Sequence, residues 1–435
     1  MNGHDRGELI RIAIAPDSRL KAPPDLGDAI FRAVVATPQR RPALRWGRLA
    51  LAPSNALVLL LLTGLLVVAL GVAAILGRPP VGLPRIEAYH GGPDRAGVMP
   101  GPGPAGQVRI DWEVDRPGGI PHTVMPLVAD GRVFVGDDTG IVAALDEITG
   151  ATRWEVSLGG RIDATPVISA DLLVVATSDG TVAALSVTDG QRIWSRSVAP
   201  VSASLLVADG MIVVADGNGT VTAFEAQTGT TIWTRSFDES MSRGPALAGG
   251  TLYVGSDDGA LRALDATTRE TRWVVPLSGV LGTPVATADQ VFLGQGLEDT
   301  GDVHDLVAID VRTSEIAWTF ASPSGKQVLM GGLASDTVFA VSEDGSISAL
   351  DAAIGAVRWT YATDGPIGTL VGIVGDTIYV SSSDRIVRSL AAQTGVERWR
   401  IAVTGTPTTP AVIDGRVIVG TSLGKVVAIG GTNMP

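Results

Sequence analysis

Residues 296–305 read GLEDTGDVHD and gather Glu298, Asp299, Asp302, His304 and Asp305 in one short stretch. Carboxylate oxygens at that density suit calcium, which takes about six to eight oxygen ligands. We read the stretch as a solvated hairpin insertion and keep a metal as the alternative. A second oxygen-rich stretch, DGNGT at 216–220, opens like a calcium loop. Its twelfth position is Gln227 rather than a bidentate Glu, so it reads as a hairpin turn. The four histidines, His4, His90, His122 and His304, are too scattered for metal-ligand spacing or a Ser/His/Asp arrangement. The chain has no Cys, which excludes a disulfide framework, Cys-ligated zinc, covalently attached haem, thiol catalysis and a lipidated Cys. GPGPAG at 101–106 matches G-x-G-x-x-G formally, but Pro102 and Pro104 interrupt it and no helix pattern follows.

The elements that would position any such chemistry come from a repeat. Leaving aside Trp46, the tryptophans are Trp112, Trp154, Trp194, Trp233, Trp273, Trp318, Trp359 and Trp399, separated by 42, 40, 39, 40, 45, 41 and 40 residues. A period near 40 marks a repeat array. Each unit carries a short strand with Pro (ATPVI, GTPVA), an Asp-Gly type turn, and an apolar strand (RVFVG, MIVVA, TLYVG). A second turn (SDG, DDG), another apolar strand (TVAAL, ALRAL), a Gly turn and the next Trp strand complete it. Asp-Gly between apolar runs is a strong hairpin signal. Four antiparallel strands per unit make one propeller blade.

The units resemble the pyrroloquinoline-quinone (PQQ) type of β-propeller repeat. The resemblance covers about 108–430 and rests on ALDEITGATRW, ALDATTRETRW, ALDAAIGAVRW and LAAQTGVERW. It implies that the stretch from Asp through Thr-Gly to Trp docks neighbouring blades. The turn glycines are Gly150, Gly190, Gly229, Gly355 and Gly395, replaced by Arg269 and Ser314 in two units. The Asp is replaced by Ser186, Glu225 and Ala391. Both kinds of departure predict less regular docking. The expected fold is all-β: an eight-bladed propeller whose last blade is completed by the N-terminal strand VRIDWEV (108–114), which leaves no free edge.

For enzymes of that family the resemblance implies a quinone stacked on a Trp, an adjacent-Cys disulfide over it, and a calcium held by carboxylate and amide side chains. This chain lacks the Cys, commits its repeat tryptophans to docking and has units of near-minimal length. We therefore expect no cofactor, PQQ included, and no enzymatic activity. Ligand contacts on a propeller gather at loops entering the innermost strands. The repeat alignment puts His122, Arg161, Asp163, Arg243, Lys326 and Gln327 there, as candidate contacts for an anionic ligand or acidic peptide, although ordinary loop solubility explains them too and is the reading we favour.

Charge and hydropathy divide the rest. Residues 1–54 carry nine Arg/Lys against five Asp/Glu, whereas the remainder carries 24 against 40. An acidic body repels phosphate and argues against nucleic acid. Leu26, Ile30, Phe31, Val34 and Val35 recur at helical spacing in this leader; we read it as a frayed juxtamembrane segment and keep a helix that docks a cytoplasmic partner or lies on the inner leaflet as the alternatives. Residues 56–77 are uncharged, long enough for a helix to cross a bilayer. The expected span is 55–77, with Arg40, Arg41, Arg45 and Arg48 on its cytoplasmic side. Residues 78–107, with seven Pro and seven Gly, read as an extended stalk. The propeller then occupies 108–431.

These features together predict a single-pass cell-membrane protein that presents a non-catalytic propeller outside the cytoplasm, binding an envelope or membrane protein through one face. In layout it resembles the outer-membrane assembly scaffold of the same repeat family. A PQQ-dependent oxidoreductase and a ligand sensor signalling through the leader are the alternatives.

Overall fold

The computed structural model describes residues 84–296, 304–367 and 371–432. The leader, the apolar stretch 55–77 and the candidate ligands Glu298, Asp299 and Asp302 lie outside the described residues. Eight four-stranded antiparallel sheets follow one another around a ring. Blade one runs outward through Leu127–Ala129, Arg132–Gly136, Ile141–Asp146 and Thr152–Ser157. The two middle strands are apolar on both faces, as at Val133, Phe134, Val135 and Val142–Leu145, because each blade is stacked between two others. The outermost strands alternate between exposed and half-buried residues.

The turns follow the local sequence. Asp130 and Gly131 have φ of 52° and 70°, and Asp209 and Gly210 have 50° and 74°. Positive φ at both central residues is what a two-residue hairpin on right-twisted strands needs. In DGNGT the Asp216 carboxylate accepts from the Asn218 and Thr220 amides, both at 3.0 Å, closing the hairpin turn expected there.

The last blade contains Ala411–Ile413, Arg416–Gly420 and Lys425–Gly431, and Val108–Asp115 is its outermost strand. Val108 pairs with Gly431 and Asp115 with Lys425, so the two ends of the repeat region close one sheet. This is the closure predicted from the unpartnered first Trp strand.

The stalk reading is corrected by the structure. From Ile86 to Gly101 the chain is a belt along the inner edges of the innermost strands. Ile86 N donates to Val128 O (2.7 Å), Ile168 N to Glu87 O (2.6 Å), Leu247 N to Pro93 O (2.8 Å) and Ala286 N to Asp94 O (3.0 Å). Leu333 N donates to Ala96 O (2.7 Å), Met99 N to Ile373 O (2.8 Å) and Gly101 N to Val412 O (3.3 Å). Ile86, Ala88, His90, Arg95 and Met99 are all buried. A Gly/Pro-rich segment cannot build a core of its own, but the ring offers unpaired strand edges that its backbone can satisfy. Gly97 is needed for the path: its φ is 86°, and a Cβ there would lie 2.4 Å from His90 Nε2 and 2.9 Å from Val371 O.

Candidate functional site

Seven of the eight repeat tryptophans sit on outermost strands against the Gly-turn region of the following blade. Trp112 donates to Glu147 O (3.0 Å), Trp154 to Val187 O (3.1 Å) and Trp194 to Ala226 O (2.8 Å). Trp273 donates to Val311 O (3.2 Å), Trp318 to Ala352 O (2.9 Å) and Trp359 to Ala392 O (2.9 Å). Gly150, Gly190, Gly229, Gly355 and Gly395 lie under Trp112, Trp154, Trp194, Trp318 and Trp359 so closely that a Cβ would meet the indole at 2.6–2.7 Å.

Of the two Gly departures only one costs a bond, since Trp273 beside the Ser314 turn keeps its own. Trp233, beside the turn that carries Arg269, makes no indole hydrogen bond among the described residues. Arg269 and Ser314 hold the same left-handed conformation as the glycines, with φ of 64° and 56°. Replacing the Asp has no such effect, since the indoles beside the Ser186, Glu225 and Ala391 turns all keep their bonds. The Asp serves its own turn: Asp146 Oδ1 accepts from the Ile148 and Thr149 amides and does not touch the indole. Trp399 also makes no indole hydrogen bond among the described residues; the closing blade joins Lys425–Gly431 to Val108–Asp115 with no turn between them.

The ring's other chemistry is at the mouth formed by loops entering the innermost strands. Two adjoining cavities of about 350 and 760 Å³ lie there and share His122, Thr123, Ser202 and Arg243. Arg161 and Asp163 line the larger and Gln327 the smaller. Lys326 is exposed on its loop and lines neither. Arg161 and Asp163 pair with each other at 3.1 Å, both partly or fully open to water. His304 lies apart from these cavities, with Nδ1 2.8 Å from Gly296 O. Among the described residues no group of His, Asp and Glu has the arrangement of a metal site.

The sequence did not reveal the floor. Tyr89, from the belt, lines the smaller cavity beside Ser204 and Thr283. Behind Tyr89 stands Arg95, fully buried, with its guanidinium carbon 5.5 Å from the Tyr89 ring centroid. Arg95 Nε donates to Pro245 O (2.5 Å), and Nη2 donates to Ser204 O and Leu205 O (both 3.0 Å). Gly244 lets the guanidinium approach, since a Cβ there would lie 2.3 Å from Ser204 O and 2.9 Å from Nη2. Burial pushes the Tyr89 hydroxyl up to about 12, opposed by the positive charges of Arg95 and Arg243. It therefore stays protonated and can donate at neutral pH. The hydroxyls of Tyr89, Ser202, Ser204 and Thr283 make no hydrogen bond to any described residue. An aromatic and an Arg inside a Gly/Pro spacer were the only sequence signal for this floor.

A quinone does not fit this lining. The repeat tryptophans are on the outermost strands and none lines either cavity, Asp163 is paired with Arg161, and the smaller cavity is lined by hydroxyls, Arg243 and the Tyr89 ring rather than a flat indole.

The family model described as outer membrane protein assembly factor BamB matches residues 107–219, 217–334 and 303–433. The chain is 24% identical over 238 residues to BamB of Shewanella oneidensis, covering 53% of this chain and 51% of that protein. It thus spans about half the length of that relative. The crystal structure of BamB from Moraxella catarrhalis superposes with a TM-score of 0.60 at 21% identity, covering 76% of this chain and 99% of that one. Quinohemoprotein alcohol dehydrogenase from Comamonas testosteroni gives a TM-score of 0.61 at 13% identity, covering 81% and 82%. Both structural likenesses are of fold.

The expected single-pass location in the cell membrane is corrected by these relatives, which are named as outer-membrane assembly factors. No helix among the described residues is long and apolar enough to cross a membrane. Hydropathy at 55–77 measures only the capacity to partition into a bilayer, and does not assign a membrane. With the repeat matched through all eight blades, the chain belongs to the outer membrane protein assembly factor BamB family.

Proposed function

We propose that the chain is a non-catalytic scaffold of the cell envelope that holds a partner protein at the loop face of its ring. The observation that carries this reading is the pair of adjoining cavities at the loop face, with Tyr89 of the belt in the lining of the smaller one. The belt occupies the inner strand edges and supplies a floor, leaving a polar mouth at the loop face. A rigid rim with its tryptophans spent on blade contacts supports a presenting surface rather than a reaction chamber. The relatives' name, assembly factor, supports the same role.

The test is site-specific photocrosslinking in cells, with the probe at Lys326 or Ser383 near the mouth, or at Ile354 on the opposite face. A discrete envelope-protein adduct from the mouth positions, absent from Ile354, is the expected result. Equal adducts from both faces, or none from the mouth, would overturn the reading.

A further inference from the structure

The belt bonds to the inner edge of every blade but one. Between Glu87 and Pro93 it leaves the edges in a 3-10 turn, Tyr89–Gly91, and among the described residues makes no backbone bond to Leu206–Ala208, the innermost strand of blade three. The two-residue turn Asp209–Gly210 makes Ala208 and Met211 a hydrogen-bonded pair. By alternation Val207 and Ile212 are then a non-bonded pair, and Val207 turns its N–H and C=O away from its own sheet. Val128 has the same place in blade one, and there Ile86 of the belt takes both groups, at 2.7 and 3.3 Å. Arg85, directly before Ile86, pairs with Asp130 of the blade-one turn at 3.1 Å and donates to Ala170 O at 2.6 Å. Asp209 is the counterpart of Asp130; it is exposed, and among the described residues it meets no cation. Val207 and Asp209 line a cavity of about 320 Å³ together with Glu87, Ile168 and Ala170, and the two ionisable residues of its lining, Glu87 and Asp209, are both carboxylates.

We propose that the inner edge of blade three docks an extended segment of a partner protein, with an Arg directly before the apolar residue that pairs with Val207. The belt supplies the pattern. On blade one an Arg–Ile step meets an edge residue and the turn Asp two positions after it, and blade three repeats that receiving half in Val207 and Asp209 while the belt passes it by. A sheet edge with unpaired backbone groups is a template for another chain, and backbone pairing supplies the affinity of such docking. Specificity comes from charge: carboxylates on both sides of the cavity favour a cationic side chain and repel an acidic one. The cavity admits a short strand, not a folded domain. A second copy of this chain has its own Arg85–Ile86 step engaged on blade one, so the occupant is a segment of a different protein.

The proposal goes beyond the loop-face reading and does not rest on it, because its test uses only the purified full chain and a synthetic peptide. The probe is a fluorescein-labelled, end-blocked peptide PRIEA, the sequence of residues 84–88, titrated with the chain and read by anisotropy. It should bind with one site per chain. Methylating the Ile amide nitrogen of the peptide removes the donor to Val207 O without touching the protein, and should weaken binding about tenfold or more. Asp209→Asn keeps a residue that tolerates the left-handed turn and should weaken binding about twofold to fivefold. Asp130→Asn should leave the affinity unchanged. Unfolding midpoints without peptide check that both variants still fold. No binding, equal binding of the methylated peptide, or an affinity that Asp209→Asn leaves unchanged would each overturn the proposal. Weakening by Asp130→Asn in place of Asp209→Asn would overturn it too, since the peptide would then be displacing the belt from blade one. Sedimentation of the chain alone is the last check: a dimer that the peptide dissociates would give this edge to a second copy and overturn the assignment to a partner. Each of these failures leaves the crosslinking prediction standing.

Discussion

At Gly150 a Cβ would meet the Trp112 indole at 2.7 Å, in a backbone with φ of 71°. Two separate demands therefore meet on one residue: left-handed conformation and close approach of a ring. Arg269 satisfies the first with strain and gives up the second, and its Trp233 loses the indole bond that most other clasps keep. Gly150→Ala should destabilise the ring by about 2 kcal/mol, the sum of the conformational and steric costs. Arg269→Gly should do the reverse and stabilise it by roughly 0.5–1 kcal/mol. Urea unfolding of both variants checks the pair. A stabilised Gly150→Ala would show that the indole can retreat without loss.

The closing blade differs from the others as an element. In blades one, four and six an Asp near the end of the third strand pairs with an Arg on the outermost strand: Asp146 with Arg153, Asp265 with Arg272, and Asp351 with Arg358. In the closing blade the third strand has Gly430, the carboxylate has moved to Asp111 on the N-terminal strand, and the cation is Arg416 on the second strand, 3.3 Å away. Gly430 makes the room, since a Cβ there would lie 2.1 Å from Asp111 Oδ2. Both charged side chains are 10% exposed or less, and Asp111 also meets Arg109 at 3.2 Å, so removing Asp111 or Arg416 leaves the other charge in a poorly solvated site with one partner fewer. Asp111→Asn should cost about 3 kcal/mol, and Asp111→Asn with Arg416→Met should recover much of it. Thermal unfolding of the two single variants and the double variant gives the coupling. A strictly additive cycle would mean that the pair does not secure this seam. The reversed charges also favour the N-terminal strand in this blade over the places of the other outermost strands.

The same seam holds a buried carboxyl that the other clasps avoid. Trp112 donates to the carbonyl of Glu147, where the equivalent acceptors belong to Val187, Ala226, Val311, Ala352 and Ala392. Burial pushes the Glu147 carboxyl up, Asp414 adds to this and Arg416 opposes it.

For the molecule as a whole, the belt turns an open ring into a cup, and one neutral histidine lies at its bend. Burial holds the His90 ring down at about 4, and its Nε2 lies 3.0 Å from Val371 O, a donor position for the neutral ring. An unfolded chain protonates the same ring near its ordinary value of about 6.5. As pH falls from 6.5 to 4, the unfolded state therefore gains a proton that the folded state refuses. Stability should drop through that window by up to about 3 kcal/mol and level off below it. Carboxylates held low, such as Asp146 and Asp336 at about 2, weaken only at lower pH. Comparing unfolding midpoints of the native chain and His90→Gln isolates the effect, and the variant should be flatter between pH 6.5 and 4. Parallel profiles would place the belt's pH sensitivity elsewhere.

How much could be read in advance follows from the range of each interaction. Blade number, hairpin turns, the Gly–Trp clasp and the closing strand are local patterns repeated about every 40 residues, and repetition exposes them without any three-dimensional information. The mouth positions followed from the same register, which brought His122, Arg161, Asp163, Arg243 and Gln327 to the two cavities and left only Lys326 outside their lining. The belt follows no such pattern. Its Gly/Pro composition has no periodicity, and it is ordered only because the ring presents unpaired strand edges along its path. The sequence by itself determined the ring, since each blade is specified by residues close together in the chain. Only the tertiary structure decided that the ring is a cup with Tyr89 and Arg95 at its floor, because the groups that hold them, the carbonyls of Ser204, Leu205 and Pro245, lie more than a hundred residues away.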